Sequence, residues 1–497
     1  MTRMGTVRLL VAILALTAVG SAASANTPRG PLDRGFGKGG KVTTRVGEES
    51  NSWGAALQPD GKIVVAGETR SGDNWDFAVV RYRRNGALDT GFGSRGVTAT
   101  DFGGTSDHGL AVQLQRDGKI VVAGGAYYPA TPSRLARYRR DGQLDRFFGD
   151  GGKVSIAACP FAGALAIQRD GKIVVGGGLR GGFVLCRLKS DGSLDRTFGT
   201  SGTVTTGFDS GSFIAGLALQ ADGKIVAAGL KSVPEGGGWA LARYLPDGQL
   251  DQSFANGGKL TLFEVALRNS GAAAVALQRD GKILVAGTGG DSPSTVVRLR
   301  TDGSLDATFG NAGQAVIPLG FPYYGDGGRL GPATAIRVLV RGKIVVAAST
   351  YDYATNKSNF AVVRFTRRGG VDPRFWGQGA IDIPISPHFD TPHALVVQRD
   401  GKVVLAGGSD EYYSNAGAFA LVRLMPPFSC RVPDVRRRPL ADARKAVAHA
   451  DCATGRVRRA YSANVPAGRV SSQSPAGGAL RQELTRVRLL VSRGPRP

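Results

Sequence analysis

Ala56 to Gly67 read ALQPDGKIVVAG, and a segment of this kind recurs seven times along the chain. Its Gly-Lys step falls at Gly61-Lys62, Gly118-Lys119, Gly171-Lys172, Gly223-Lys224, Gly281-Lys282, Gly342-Lys343 and Gly401-Lys402, at intervals of 52 to 61 residues. Self-similarity at such a period is the mark of a repeat architecture. Within the unit, a short apolar run leads into Asp-Gly, a dipeptide that tolerates positive φ and closes a tight hairpin. The run after it, Ile63-Val64-Val65-Ala66, is continuously apolar and mostly β-branched, which predicts a strand buried on both faces. A loop of variable length follows, then a further strand such as Phe77 to Arg81.

A second hairpin closes each unit. An Arg stands late in the third strand, at Arg81, Arg137, Arg187, Arg243, Arg298, Arg364 and Arg423. In six units an Asp of an LDxxF-like element follows eight residues later, at Asp89, Asp145, Asp195, Asp251, Asp306 and Asp372. A Gly turn such as Asn85-Gly86 lies between them. A three-residue loop ending in a left-handed Gly sets each Arg opposite its Asp and predicts a cross-strand ion pair repeated around the molecule. Arg423 has no Asp downstream, while the first such element, Leu32-Asp33-Phe36, has no Arg upstream. Joining the two ends pairs Asp33 with Arg423 and leaves no sheet edge open. The expected fold is mainly β: a seven-bladed β-propeller over residues 26–429, preferred to an open solenoid because solenoid repeats are usually shorter. The LDxxFG, QxDGKIVVAG and FAxARYxxDG elements resemble the delta-60 repeat of bacterial exported proteins. That resemblance implies a propeller and no defined activity. The sixth unit departs from the pattern, because Arg341 replaces the turn Asp.

The chain has 497 residues, of which 42% are hydrophobic, enough for a packed core. Its 74 Gly fit a fold of many turns. The formal charge of +24 favours anionic partners without choosing among them. Arg3 and Arg8, the apolar run Leu9 to Val19 and the small residues Ala23-Ser24-Ala25 read as a signal peptide over residues 1–25, with the mature chain starting near Asn26. An uncleaved anchor is the alternative. No other stretch has the apolar length of a membrane-crossing helix. Secreted or wall-associated localisation follows, and export permits disulfides. Cys430 and Cys452 stand apart near the end and are the natural pair; nothing decides whether Cys159 and Cys186 join. No CxxC occurs, and His108, His388, His393 and His449 are not spaced as metal ligands.

Each repeated feature has a plain reading. One Asp beside one Lys per turn is far short of a calcium shell, so the turns are read as turns. The repeated Lys is read as a solvated flank rather than an anion-binding ring. The repeated Phe36, Phe92, Phe148, Phe198, Phe254, Phe309 and Phe375 are read as core between blades. Trp53, Trp75, Trp239 and Trp376 do not repeat in register. Irregular loops carry Asp73 to Asp76, Tyr127-Tyr128, Tyr323-Tyr324, Tyr351 to Tyr353 and Asp410 to Tyr413. These are read as ordinary loop packing, with a ligand-binding rim, for protein partners, as the alternative. The motifs of serine hydrolases, nucleotide-binding loops, zinc proteases and dinucleotide folds are missing. No catalytic residue, metal or cofactor is assigned. Nucleic acid is set aside, since the chain is read as exported and lacks interleaved aromatic and basic motifs.

Composition changes at Met425-Pro426-Pro427. From Cys430 to Pro497 there are 15 Lys and Arg against four acids. Val432-Pro433-Asp434-Val435, the helical LADARKAVAHA from Leu440, Val465 to Val470, Ser472 to Pro475, Gly477 and Val487 to Ser492 are similar in order and spacing to a PASTA domain, taken as residues 430–497. The resemblance implies one helix on three strands, and a module outside the cytoplasmic membrane that in some proteins binds peptidoglycan fragments. Arg436-Arg437-Arg438 stands where a Gly is usual, and the two cysteines are additions that would staple the chain before the helix to the chain after it. Arg436, Arg437, Arg438, Arg469 and Gln473 are the candidate wall-binding residues, with peptidoglycan or an anionic wall polymer as partner. The expected protein is a non-enzymatic envelope scaffold with a wall-binding module. Two alternatives stand beside it: an interaction propeller with no wall binding, and a hydrolase with a metal in the central channel.

Overall fold

The computed structural model describes residues 30–103, 106–126, 131–179, 181–208, 211–233, 236–265, 271–289, 292–317, 333–352, 357–409, 417–427 and 430–496. The signal segment and the loops at Tyr127-Tyr128, Tyr323-Tyr324, Tyr353 and Asp410 to Tyr413 lie outside the described residues.

Seven four-stranded antiparallel sheets follow one another as blades. Blade 1 consists of Glu49–Leu57, Ile63–Ser71, Asn74–Tyr82 and Val97–Thr100 in that spatial order. Its first hairpin is the Asp60-Gly61 turn, where Gly61 adopts φ 85°, a region closed to most side chains. The second hairpin has the register of a three-residue loop. Arg83 N–H donates to Ala87 O, Gly86 stands at φ 87°, and Asp89 N–H donates to Arg81 O across the pair. Both hairpins lie at one end of the blade, here called the turn face. The loops between second and third strands, and the links between blades, lie at the opposite end.

First strands touch first strands of both neighbouring blades all round, and that of blade 1, Glu49–Leu57, touches that of blade 7, Asp390–Val397. The ring closes through the chain's ends. Lys41–Thr44 pairs antiparallel with Ala418–Leu424 and supplies the fourth strand of blade 7. Asp33 N–H donates to Arg423 O, and Arg423 N–H to Gly40 O. The fold is therefore a seven-bladed propeller closed by its N-terminal strand, and no blade keeps a bare edge where the ends meet.

The continuously apolar second strands explain the core. Ile63 and Val65 pack in the cluster between blades 7 and 1, while Val64 and Ala66 pack in the one between blades 1 and 2. Seven such clusters separate the seven blades, each holding one of the repeated Phe. Burying a Phe completely contributes roughly 1.5–3 kcal/mol, so this one repeated residue welds every junction.

Residues after 430 form a helix, Leu440–His449, on a three-stranded sheet. Ala453–Ala460 and Val470–Ser474 flank the central Arg486–Ser492, in parallel and antiparallel pairing respectively. Ala443 and Val447, one helical turn apart, meet Val487, Leu489 and Val491 from alternate positions of the central strand. Cys430 and Cys452 are disulfide-bonded, with Cα atoms 4.9 Å apart, and stand 22 positions apart in sequence. A loop of that size gains roughly 3 kcal/mol from such a bridge, in a module too small for a large core. No helix among the described residues is long and apolar enough to cross a membrane.

Candidate functional site

Three places concentrate charged or aromatic chemistry. The first is the turn face. In blade 1, Arg81 Nε donates to Asp89 Oδ2 at 2.8 Å and the guanidinium carbon lies 4.5 Å from the centre of the Phe92 ring. Lys62 Nζ stands 2.8 Å from the same carboxylate oxygen. The remaining arm, Nη1, donates to Arg140 O on the hairpin of blade 2. Arg137, Arg187, Arg243 and Arg298 repeat this with Asp145, Asp195, Asp251 and Asp306, each reaching a backbone carbonyl of the next blade. Arg423 closes the series with Asp33 at 2.8 Å, with Lys402 on the same oxygen and Arg84 O as the next-blade carbonyl. The repeated Lys, read from sequence as a solvated flank, is thus the second cation on every one of these carboxylates. Burial works to raise the Asp33, Asp89 and Asp145 carboxyls, but the Lys and Arg beside them win and hold all three below the usual range.

Blade 6 differs. Its hairpin partner in blade 7 is missing, because the chain leaves at Met425-Pro426-Pro427 for the C-terminal module. Glu483 of that module takes the place of the carbonyl: it is anchored by its N–H to Pro427 O at 2.7 Å and accepts from Arg364 Nη1. Lys343 Nζ is 3.1 Å from Glu483 and 3.4 Å from both Asp372 and Asp451. Arg341, the residue that breaks the turn motif, adopts φ 71° and donates to Asp451 Oδ1 at 3.1 Å and to Cys452 O. Arg374 reaches the other oxygen of Asp451 at 3.0 Å. Burial works against charge on Asp451, but Lys343 and Arg374 prevail and lower its pKa.

The second place is the propeller interior towards the opposite face. Glu68, 3% exposed, accepts from Trp53 Nε1 at 3.0 Å and from His108 Nδ1 at 2.5 Å. The Trp53 and His393 rings lie 4.3 Å apart. Trp53 and His393 both sit in a bulge of the first strand, where the register slips between Ser52 and Gly54 and between Pro392 and Ala394. Bulged positions elsewhere carry Leu110, Ala215, Ala273 and Thr334. Glu68 is also a break in the repeat, since its equivalents are Gly125, Gly178, Leu230, Thr288, Ser349 and Gly408. Nearby, burial pushes the Asp107 carboxyl up to about 6, although Arg134 is ion-paired to it. A buried carboxylate holding an imidazole is the geometry of an acid–base pair. No group of three or more His, Cys, Asp or Glu suited to a metal occurs among the described residues. Cys159 and Cys186 are buried and not bonded to each other. Contact with Cys159 and burial push the Cys186 thiol far up, which makes it a poor nucleophile.

The third place is the C-terminal module. Arg436 is bound by Asp434 at 2.6 Å, and Arg469 donates to Arg437 O at 2.8 Å. Gln473 is turned inward: it accepts from Val435 N–H at 2.7 Å and donates to Pro433 O at 2.8 Å, which ties two loops together. Gln473 also borders a groove whose other polar lining opens outward. Arg456, Arg458, Arg488, Ser472 and Ser474 line this groove of ≈ 490 Å³ on the sheet face turned from the helix.

The family comparisons agree with this division. The description "Domain of unknown function (DUF5122) beta-propeller" matches residues 58–92, 115–148, 168–198, 220–254, 278–309, 342–375 and 398–426. The PASTA domain matches residues 431–493. The chain carries seven DUF5122 β-propeller repeats and one PASTA domain. No curated protein matches it. Among solved structures, it is similar to a catalytically inactive virginiamycin B lyase from Staphylococcus aureus with quinupristin, at 13% identity over 77% of this chain and 98% of that one, TM-score 0.46. It is also similar to the β-propeller domain of the Trilobed protease from Pyrococcus furiosus, at 11% identity over 72% and 89%, TM-score 0.37. The PQQ-bound aldose sugar dehydrogenase of Streptomyces coelicolor is similar at 14% identity over 62% and 90%, TM-score 0.34. Likeness at this level says nothing of activity.

Proposed function

We propose that this is an exported, non-enzymatic protein of the cell envelope, in which the DUF5122 propeller is an interaction scaffold and the PASTA domain contacts the cell wall. The observation that carries the reading is the polarity of the PASTA domain. Of its four acids, Asp451 and Glu483 are spent on blade 6 and Asp434 is spent on Arg436. The sheet face turned from the helix keeps an arginine groove with no acid in its lining. The signal-like N-terminus and the Cys430–Cys452 bridge support an oxidising, extracytoplasmic setting.

The test is sedimentation of the full chain with purified cell wall at low and at moderate salt. Co-sedimentation that survives moderate salt supports the reading; loss with salt reduces it to nonspecific charge attraction, which salt screens. Deleting the module is a poor control, because it also strips Glu483 from the junction of blades 6 and 7.

A hydrolase is the second reading, and the Glu68–His108 pair is what favours it. Hydrolytic turnover that Glu68→Gln abolishes would replace the scaffold reading.

A further inference from the structure

We infer that the groove of Arg456, Arg458, Arg488, Ser472 and Ser474 is a binding site for the phosphodiester groups of an anionic polymer. The inference rests on the wall-contact reading and names the chemistry of that contact.

Three adjacent strands build the site. In Arg486–Ser492, the buried Val487, Leu489 and Val491 alternate with Arg486, Arg488 and Leu490, so the arginines stand on the face away from the helix. Ser474 is the register partner of Arg488, Ser472 of Leu490, and Leu490 of Arg458. The slip between Thr454 and Val457 brings Arg456 into the lining beside Arg458. No ion pair of these three arginines occurs among the described residues, in contrast to Arg436 with its Asp434.

The donor set decides the ligand. A single carboxylate is matched by one guanidinium in bidentate contact. Three guanidiniums and two hydroxyls in one groove offer more donors than any single monovalent anion can accept, so the groove fits a run of anions rather than one. These donors suit tetrahedral oxyanions that follow one another along a flexible chain. Strands are ~4.8 Å apart and alternate residues on one strand ~6–7 Å apart, so neighbouring arginines engage neighbouring anions. Arginine stays charged at any relevant pH. Affinity should therefore weaken with salt without being lost at moderate salt, and barely move with pH between 5 and 8.

Calorimetry on the full chain tests this, with a glycerol-phosphate hexamer as probe and a glutamate hexamer as the carboxylate rival. The expected result is binding of the phosphodiester at least ~10-fold tighter than the carboxylate. The triple variant Arg456→Gln, Arg458→Gln, Arg488→Gln should lose at least ~10-fold. A charge-matched control at Arg444→Gln, Lys445→Gln and Arg496→Gln should not. Equal affinity for the two hexamers, or equal loss in control and groove variants, overturns the site. If the triple variant unfolds, the two-hexamer comparison on the unaltered chain still decides. Wall sedimentation separates the two ideas. A chain that prefers the phosphodiester hexamer but does not sediment with wall keeps the groove and loses the wall reading. A chain that sediments equally with wall stripped of anionic polymer keeps the wall reading and loses the groove.

Discussion

Six of the propeller's junctions and the seventh solve the same problem with different atoms. In six, an arginine spans its own aspartate and a backbone carbonyl of the next blade. Between blades 6 and 7 the carbonyl is replaced by the Glu483 carboxylate, supplied from 119 residues away. The guanidinium shifts to meet it. Arg364 touches Asp372 through Nη2 at 2.9 Å rather than through Nε, and sits 4.9 Å from its Phe ring instead of about 4.5 Å. A repeat can thus lose a hairpin at its end without leaving a buried guanidinium unanswered, provided another domain brings an anion. The PASTA domain is in this sense part of the propeller. The break at Arg341 is the matching change on the scaffold, where a turn-capping Asp is exchanged for a cation that holds Asp451.

The largest expected effects are at the regular junctions, Asp33 above the rest. Asp195→Ala removes the anion shared by the buried Arg187 and the half-buried Lys172 and leaves the guanidinium buried without its carboxylate. Breaking a buried pair in this way costs about 3–5 kcal/mol, read as a lowered midpoint in chemical denaturation. Asp33→Ala should cost more than Asp195→Ala, because Asp33 also holds the chain end that closes blade 7. Equal costs would mean that the Lys41–Thr44 strand pairing closes the ring without help from the ion pair.

Glu483→Gln probes the substituted junction. Glu483 accepts from both Arg364 and Lys343, and the Gln amide keeps a single accepting oxygen. Arg364 keeps Asp372, and Lys343 keeps Asp372 and Asp451, so the loss is that of one of the two charged hydrogen bonds, roughly 1.5–3 kcal/mol. If Glu483→Gln left the propeller's unfolding unchanged while Asp195→Ala did not, the PASTA domain would be a passenger on blade 6. Arg341→Asp restores the turn motif but replaces a cation on Asp451 with a further carboxylate. It should loosen the domain and expose the Met425–Pro427 connection to protease while the propeller stays folded.

Much of the ring was legible in the sequence, because its deciding contacts are local. The Arg-to-Asp register follows from one three-residue loop, and closure follows from a count of unpaired motifs at the two ends. The second cation was not read, although Lys recurs in every unit, because Lys62 meets Asp89 across two hairpins of a blade. The Trp53, His393, Glu68 and His108 group was hidden for a different reason. Trp53 and His393 are 340 positions apart and become neighbours only when blade 7 closes on blade 1. Alignment of the seven units on their bulges would have shown them at one position, and Glu68 as the acid among Gly, Leu, Thr and Ser. Charge density alone pointed to Arg436-Arg437-Arg438, of which Arg436 is held by Asp434. Strand alternation in Val487 to Val491 points instead to the groove arginines, whose role is the inference argued above.

The smallest effect distinguishes the regular junctions from one another. Asp195, Asp251 and Asp306 each have a hydroxyl two residues on, from Thr197, Ser253 and Thr308, that donates to the second carboxylate oxygen at 2.8, 2.6 and 2.7 Å. Asp33 and Asp89 have Gly35 and Gly91 there, and Asp145 has Phe147. Burial pulls all these carboxyls up, but the added hydroxyl with the Lys and Arg drives the first three further down than the others. A carboxyl lowered on folding adds stability that is complete above its unfolded value near 4 and is lost as pH falls through the folded value. On acidification the hydroxyl-free junctions should therefore protonate first and the other three last, a sequence that carbon-detected NMR of the Asp carboxyls can follow. Thr197→Val should move Asp195 up into the first group and cost roughly 1 kcal/mol at neutral pH, with no change in the other six junctions. If Asp195 kept its place after that substitution, its low pKa would belong to Arg187 and Lys172 alone, and the junctions would differ in packing rather than in hydrogen bonding.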